Sequence, residues 1–445
     1  MNVFKRNINN IFFIFIVSHL IIWTVVPALT NQNLPLDVIE ALAWGSNLDW
    51  GFNKHPPGSA FFPEIFFQVF GPQDWAFYLL SQIFVIISFY YVFKLANEIF
   101  NNSLLSLISV LILESIFYYN FTSPEFNVNV CQLPFWSIVV YYSWRIYKDE
   151  NIKFSDCALV GFFAAIGFLS KYLFIYLLAS IEILFLYLIF FKKSKKFDFK
   201  YLITLEVFIV LLIPHFIWLH NNDYVTVMYG LKRTGLDSLN FFDHIKYPSL
   251  FLIKQIGLLI PFLLLSWLLI KKFKFKINLK DKKLLFLIVI NFLPIFLILL
   301  TSIATGSRIR TMWMAPFYLF FGILVVYIFQ KQINLNKIKP FLSGFIFLFF
   351  LSPILYSYIS IKQNDKRTDY PGREIANKVQ LVWNQQYNNP INVVLGNEWS
   401  AGNLSYHLKS RPSWNGLVTN KNITNLKEYL CIEDICVGYK EDEKS

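Results

Sequence analysis

The chain has 445 residues, of which 56% are hydrophobic and 15% charged, and its formal net charge is +12. Soluble domains average about 45–50% apolar and about 25% charged residues, so composition excludes an ordinary soluble protein. Many of the basic residues lie in short loops between apolar runs; that is a topology signal, and no nucleic-acid partner is expected.

Apolar runs of about 20 residues, long enough to span a bilayer core, recur along the chain. About eleven spans are predicted, at residues 10–29, 75–94, 104–121, 127–146, 156–170, 172–191, 201–219, 248–270, 284–302, 312–329 and 340–360. The first run is long for a signal peptide and lacks an A-x-A-like cleavage site, so it reads as a retained anchor. Glu114, Glu182 and Glu206 fall inside predicted spans, as buried pairs or as signs of misplaced span edges.

Between the first two spans runs "LPLDVIEALAWGSNLDWGFNKHPPGSAFF", residues 34–62. Asp37, Glu40, Ala41 and Trp44 fall at i, i+3, i+4 and i+7, which places them on one face of a short helix lying along the membrane interface. A carboxylate there can act as general base on a hydroxyl, and a flat indole can stack on a sugar. The following "NKHPPG" stiffens the chain and presents Lys54, a point charge suited to phosphate, and His55. The plainer alternative is a loop whose tryptophans only anchor it at the interface.

Further along, "SPEFNVNV" sets Glu125, Asn127 and Asn129 at the start of a span, where an acid is costly unless paired or used. "FLSKYLF" sets Lys171 between two apolar runs, and "LKRTG" supplies Arg233. "PHFIWLHNND" carries His215 and His220, which with Glu125 or Glu40 could ligate a divalent metal, although their spacing matches no familiar two-His motif. "TGSRIRTMW" carries Arg308 and Arg310, whose planar forks suit phosphate oxygens.

With the N-terminus in the cytoplasm, the inner loops hold 21 Lys and Arg and the short outer loops 7. This obeys the positive-inside rule, and an odd number of spans puts the tail from about residue 361 outside. In the tail, "PGREIANKVQLVWNQQY" reads as a helix that opens on Pro, "INVVLG" as a buried strand, and "NLKEYLCIEDICVGY" as a helix end followed by a hairpin. Cys431 and Cys436 would face each other across a turn at Glu433-Asp434, as a disulfide or as two reduced thiols. The predicted division is a transmembrane catalytic region at 1–360, with its outer loop at 30–73, and a periplasmic α/β domain at 361–445.

These residues in this order resemble the GT-C glycosyltransferases of the protein O-mannosyltransferase and lipid A aminoarabinose transferase kind. The matching features are Asp37, Trp44 and "WGFNKHPP", then Glu125 in "SPEFN", "GFLSKYLF", "PHFIWLHNND", Arg233, and Gly306, Arg308 and Trp313. Many relatives carry adjacent Asp-Glu after the first span, whereas here Asp37 is followed by Val38 and the next acid is Glu40.

The resemblance implies an all-α, GT-C-type polytopic fold of about eleven transmembrane helices, with outer amphipathic loop helices and a small C-terminal α/β domain. It implies a monomeric multi-pass enzyme of the bacterial inner membrane with its site and C-terminal domain in the periplasm. The expected reaction moves a sugar from a polyprenyl (undecaprenyl) phosphate donor to a lipid or glycan acceptor, lipid A or another lipopolysaccharide component. The alternatives are a protein O-mannosyltransferase-like enzyme and a transporter or flippase for a lipid-linked saccharide. The expected catalytic acids are Asp37, Glu125 and Glu40. Lys54, Arg308, Arg310, Lys171 and Arg233 would meet the donor phosphate, and Trp44, His55 and Asn127 the sugar or acceptor. No cofactor is assigned, and a divalent metal ion is left open.

Overall fold

The computed structural model describes residues 2–235, 240–270, 278–333 and 338–441, with side chains from residue 7. Lys337 and the lysines of 271–277, counted above among the cytoplasmic charges, lie outside the described residues.

The helical body is built from α1 (Asn2–Thr30), α2 (Leu36–Gly45), α3 (Gly58–Phe70), α4 (Asp74–Phe100), α5 (Ser103–Leu111), α6 (Val128–Lys148), α7 (Phe154–Ser170) and α8 (Ile175–Leu186). It continues through α9 (Lys200–Asn221), α10 (Val225–Arg233), α11 (Asp243–Leu269), α12 (Lys282–Thr305), α13 (Phe321–Phe329) and α14 (Ile338–Lys362). The eleven predicted runs fall mostly on helical backbone, although residues 120–121 and 319–320 are turns. Among the described residues, however, seven helices are long and apolar enough to cross a membrane, or eight if the bent pair Thr311–Tyr318 and α13 forms one span.

The shortfall has a physical cause. The stretch Ser103–Ser115 and α7 are apolar but short. Helix α6 has the length, but it carries Asn129, Gln132 and Arg145. It is buried along nearly its whole course against α4 and α7, so it faces protein rather than lipid and hydropathy understates it. Of the acids inside predicted spans, Glu114 is buried and pairs with His19 at 3.0 Å, whereas Glu182 and Glu206 are exposed.

We call the end where α1 finishes the upper end. The C-terminal domain packs there. It comprises α15 (Gly372–Gln386), β1 (Val393–Leu395), α16 (Ser400–His407), β2 (Ser413–Trp414), α17 (Asn420–Thr424), β3 (Glu428–Ile432) and β4 (Ile435–Tyr439). The sheet order is β2-β1-β4-β3, with β1 parallel to β2 and antiparallel to β4. Ala376, Val379, Trp383, Val394 and Leu404 form its core. Cys431 pairs with Cys436 in the β3–β4 hairpin, and the two are joined as a disulfide.

Helix α2 departs from the expected interfacial helix. Its residues Val38, Ile39 and Ala41 to Gly45 are buried, because α3 covers one side and α16 another. Gly402 of α16 makes the close approach possible: a Cβ there would lie 3.0 Å from Ile39 Cγ2 and 3.1 Å from Ala43 Cβ. Arg411 fixes the contact by donating to the Leu42 carbonyl at 2.7 Å and to Glu64 at 2.5 Å, with its guanidinium over the Phe67 ring. Asn33 donates to Asn403 at 2.8 Å, and Tyr406 to Asp74 at 2.6 Å.

Candidate active site

A cleft with about 270 Å³ of empty space, counting the part open to solvent, lies at the upper end. Asp37, Glu40, Trp44, His55, Ser59 and Asn127 line it. The face of α2 read from the i, i+3, i+7 spacing is therefore the face turned to the cleft. Asn127 also caps α6: its Oδ1 accepts from the amides of Asn129 and Val130 at 2.9 and 3.2 Å, which leaves its amide NH2 for a ligand.

Glu125 stands behind Asp37 and accepts the Asp37 backbone N–H at 3.2 Å. Burial raises the pKa of both acids. The two differ in their neighbours. Asp37 feels the charges of Lys171, Arg233 and Lys54, which oppose the rise. Glu125 is pushed up to about 8, by burial and then by the Asp37 charge. Burial and the neighbouring acid thus favour the protonated form of Glu125, while the nearby cations oppose the rise at Asp37.

The "WGFNKHPP" loop closes the cleft. Gly51 lies beneath Trp218, where a Cβ would sit 2.2 Å from the indole, so only glycine fits. The His55 ring meets Trp44 edge-on at 5.8 Å and Tyr229 at 6.4 Å. Burial, then the charges of Lys171, Lys54 and Arg233, drive His55 down to about 3. It is a neutral imidazole at physiological pH. Lys54 sits 6.0 Å from the Trp44 ring and bonds Glu40 at 2.9 Å.

The other predicted cations divide into two kinds. Lys171 is buried, donates to Asn129 Oδ1, and lies 5.1 Å from the Trp313 ring. Arg233 lies beside the Tyr229 ring at 5.8 Å. The Arg308 amide donates to the Thr234 carbonyl at 2.9 Å, which ties the Arg308–Arg310 loop to the end of α10. Arg310 has its pKa lowered by burial, then by the Arg233 and Arg308 charges, so the three guanidiniums form one positive cluster. Among the described residues, no ion pair engages any of the three, and the buried Arg310 Nε has no partner.

Both ring nitrogens of His215 are taken, by the Tyr172 hydroxyl at 2.7 Å and the Trp50 carbonyl at 2.6 Å. His220 faces the Tyr224 hydroxyl at 3.4 Å. Among the described residues no group of three or more His, Cys, Asp or Glu is placed to hold a metal ion.

Sequence reasoning missed Glu398. This tail residue accepts from Asn53 at 2.9 Å and pairs with Lys54 at 3.3 Å. Burial works against its charge, but Asn53, its own backbone N–H and Lys54 together hold the carboxyl below the ordinary range. The readable signal was local only: Asn397 caps α16, its Oδ1 accepting from the Trp399 and Ser400 amides at 3.1 and 2.9 Å. Nothing in the sequence says where the capped end points.

Residues 54–218 match the family described as dolichyl-phosphate-mannose-protein mannosyltransferase. In three dimensions the chain is similar to ArnT from Cupriavidus metallidurans bound to undecaprenyl phosphate, with a TM-score of 0.64 at 11% identity over 92% of this chain and 86% of that one. Against the apo state of ArnT the TM-score is 0.62 at 11% identity, over 95% and 97%. No curated protein matches the chain in sequence. The architecture implied by the motifs, a body of membrane-length apolar helices with a small C-terminal sheet domain, is the one observed, and its fold is ArnT-like.

Proposed function

We propose that this chain is a GT-C membrane glycosyltransferase that moves a sugar from a polyprenyl phosphate to an acceptor on the side of the membrane where its C-terminal domain lies. One observation carries the reading: Asp37 lines a cleft at the upper end with Glu125 behind it, and it feels the charge of Arg233, which with Arg308 and Arg310 engages no acid in an ion pair among the described residues. The family match over 54–218 and the ArnT-like fold support it.

The donor phosphate is the leaving group. The bond from the anomeric carbon to the phosphate oxygen breaks, and its electron pair stays with the phosphate, whose charge grows in the transition state. Positive groups aimed at that charge supply much of such catalysis. Arg233, Arg308 and Arg310 are free to do so, while Lys171 and Lys54 already hold protein partners. Where the acceptor is a hydroxyl, its oxygen bonds the anomeric carbon and its proton passes to Asp37. Glu125 keeps its own proton and the geometry of Asp37. Where the acceptor is a phosphate, no base is needed and Asp37 positions a substrate or a metal ion. Trp44 offers its ring to the sugar, with His55 and Asn127 as neutral hydrogen-bonding partners.

In this reading the upper end is periplasmic and the membrane is the bacterial inner membrane, in line with the 21-to-7 asymmetry of basic residues. Lipid A or another lipopolysaccharide component is the preferred acceptor. A protein acceptor is the second reading, favoured by the mannosyltransferase match. A flippase would hold its substrate near the bilayer midplane, whereas this cleft lies at one end.

The test is mass spectrometry of lipid A and envelope glycans from cells with the wild-type gene, without it, and with Asp37→Asn. Product should appear with the wild type and fall by about 10²–10⁴-fold in the variant at equal protein level. Retained transfer by a normally accumulating Asp37→Asn protein removes Asp37 from the mechanism.

A further inference from the structure

A lysine reserved for a phosphate would be left free to meet it. Lys54 is not free. Its ammonium lies between Glu40 at 2.9 Å and Glu398 at 3.3 Å, and Asn53 secures the same Glu398 oxygen at 2.9 Å. Glu40, Asn53 and Lys54 belong to the loop after α1, but Glu398 comes from the C-terminal domain. The group carries a net charge of −1, which opposes a phosphate and offers several hydrogen-bonding atoms to carbohydrate hydroxyls.

Glu398 is also well supported. Gly396 turns the chain out of β1 at φ +143°, where a Cβ would meet the Asp434 carbonyl at 3.2 Å. Asn397 caps α16 and donates to Asp434 at 3.2 Å, at the tip of the disulfide-closed hairpin. Helix α16 is held on α2 through Gly402, and on the segment just before α2 through the Asn33–Asn403 bond. The elements that place Glu398 are therefore the same ones that clamp the helix carrying Asp37 and Glu40.

We propose that Glu398 is a positioning residue of the transfer site: with Glu40 it holds the Lys54 ammonium beside Trp44 at the sugar side of the cleft, so that the C-terminal domain completes the site. The proposal rests on the glycosyltransferase reading. It moves Lys54 from the phosphate contacts to the sugar subsite and leaves the phosphate to the arginines.

Three measurements on the full-length protein in lipid nanodiscs or in cells test it. Reductive methylation read by mass spectrometry should modify Lys54 slowly in the wild type, about fivefold faster in Glu398→Gln, and at an intermediate rate in Glu398→Asp, with exposed Lys232 as the control. Binding of undecaprenyl phosphate should stay within about twofold in Glu398→Gln and Lys54→Met. In cells, each of these variants should lower product about tenfold or more, and the double variant should do no worse than either single one. Unchanged Lys54 labelling in Glu398→Gln, or tenfold weaker undecaprenyl phosphate binding in Lys54→Met, overturns the proposal. Absence of any wild-type product overturns the glycosyltransferase reading and the proposal with it. A wild-type product that Glu398→Gln leaves unchanged overturns the proposal alone.

Discussion

The two ends of the helical body use the same residue types in different ways. At the lower end, lysines close helix termini. Lys195 donates to the carbonyls of Ile146 and Asp149 at the end of α6, Lys283 to Ile99 at the end of α4, and Lys200 to Ile152. Arg145 and Lys148 pair with Asp156 and Glu98. Each of these named cations meets a backbone carbonyl or an acid of the protein. At the upper end, among the described residues, Arg233, Arg308 and Arg310 engage no acid in an ion pair, and Glu125 accepts the backbone N–H of the second acid, Asp37. Like charges gathered at one place cost stability, and that cost is understandable where a charged ligand completes the set. Sign of charge alone therefore does not separate structure from chemistry; what separates them is whether the protein already supplies the counter-group.

The comparison is broken most directly at the arginines. Arg308→Gln with Arg310→Gln should weaken undecaprenyl phosphate binding by about 10–10²-fold, since a hydrogen bond to a charged group contributes about 1.5–3 kcal/mol. Titration of the lipid into nanodisc-held protein measures this. Unchanged binding in a stable double variant would show that this positive cluster serves the fold, as the lower-end lysines do.

The acid pair offers a second test, through pH. Glu125 has its folded pKa raised to about 8, so the sign is fixed: the folded state favours the protonated carboxyl. Stability from this group is full below the ordinary glutamate value and is lost as pH rises through about 8. Glu125→Gln keeps the neutral form at every pH. The variant's thermal midpoint, relative to wild type, should therefore climb from pH 5 to pH 8. A constant difference across that range would mean that Glu125 is not the proton holder.

Much of this was legible in the sequence, and what was not has particular causes. The cleft face of α2 followed from Asp37, Glu40 and Trp44, because helical periodicity is local. The joining of the loops that carry Glu125, Lys171, Arg233 and Arg308 followed from their spacing between apolar runs, because a bilayer sorts loops to two sides. Length and composition alone reach seven or eight of the eleven expected crossings among the described residues, because such a window understates a helix such as α6, wrapped in protein. Glu398 was invisible, because its role depends on how α16 docks on α2, and that depends on the missing side chain of Gly402. Lys54 looked like its fellow cations, because one of its two carboxylate partners, Glu398, comes from the far end of the chain.

A smaller effect is expected at the hairpin that backs Glu398. Replacing Cys431 and Cys436 by Ser removes a short loop closure worth about 2 kcal/mol by chain entropy. Hydrogen exchange of the Tyr429–Val437 backbone should quicken, and Lys54 methylation should rise modestly as Asp434 loosens its hold on Asn397. Faster exchange with no change at Lys54 would separate the hairpin from the site.

The smallest change belongs to the lower end, and it completes the contrast. Lys283→Met removes one cation from the end of α4, an interaction of about 0.3–1 kcal/mol at an accessible helix terminus. The thermal midpoint should drop by about 1–2 °C, with undecaprenyl phosphate binding and product formation unchanged. The same kind of substitution, a lysine made neutral and apolar, should thus cost almost nothing in transfer here and about tenfold at Lys54. If Lys283→Met instead lowered product as Lys54→Met does, at equal protein level, the division between the two ends would fail. The upper-end charges would then have no better claim to chemistry than the lysines that close the helices below.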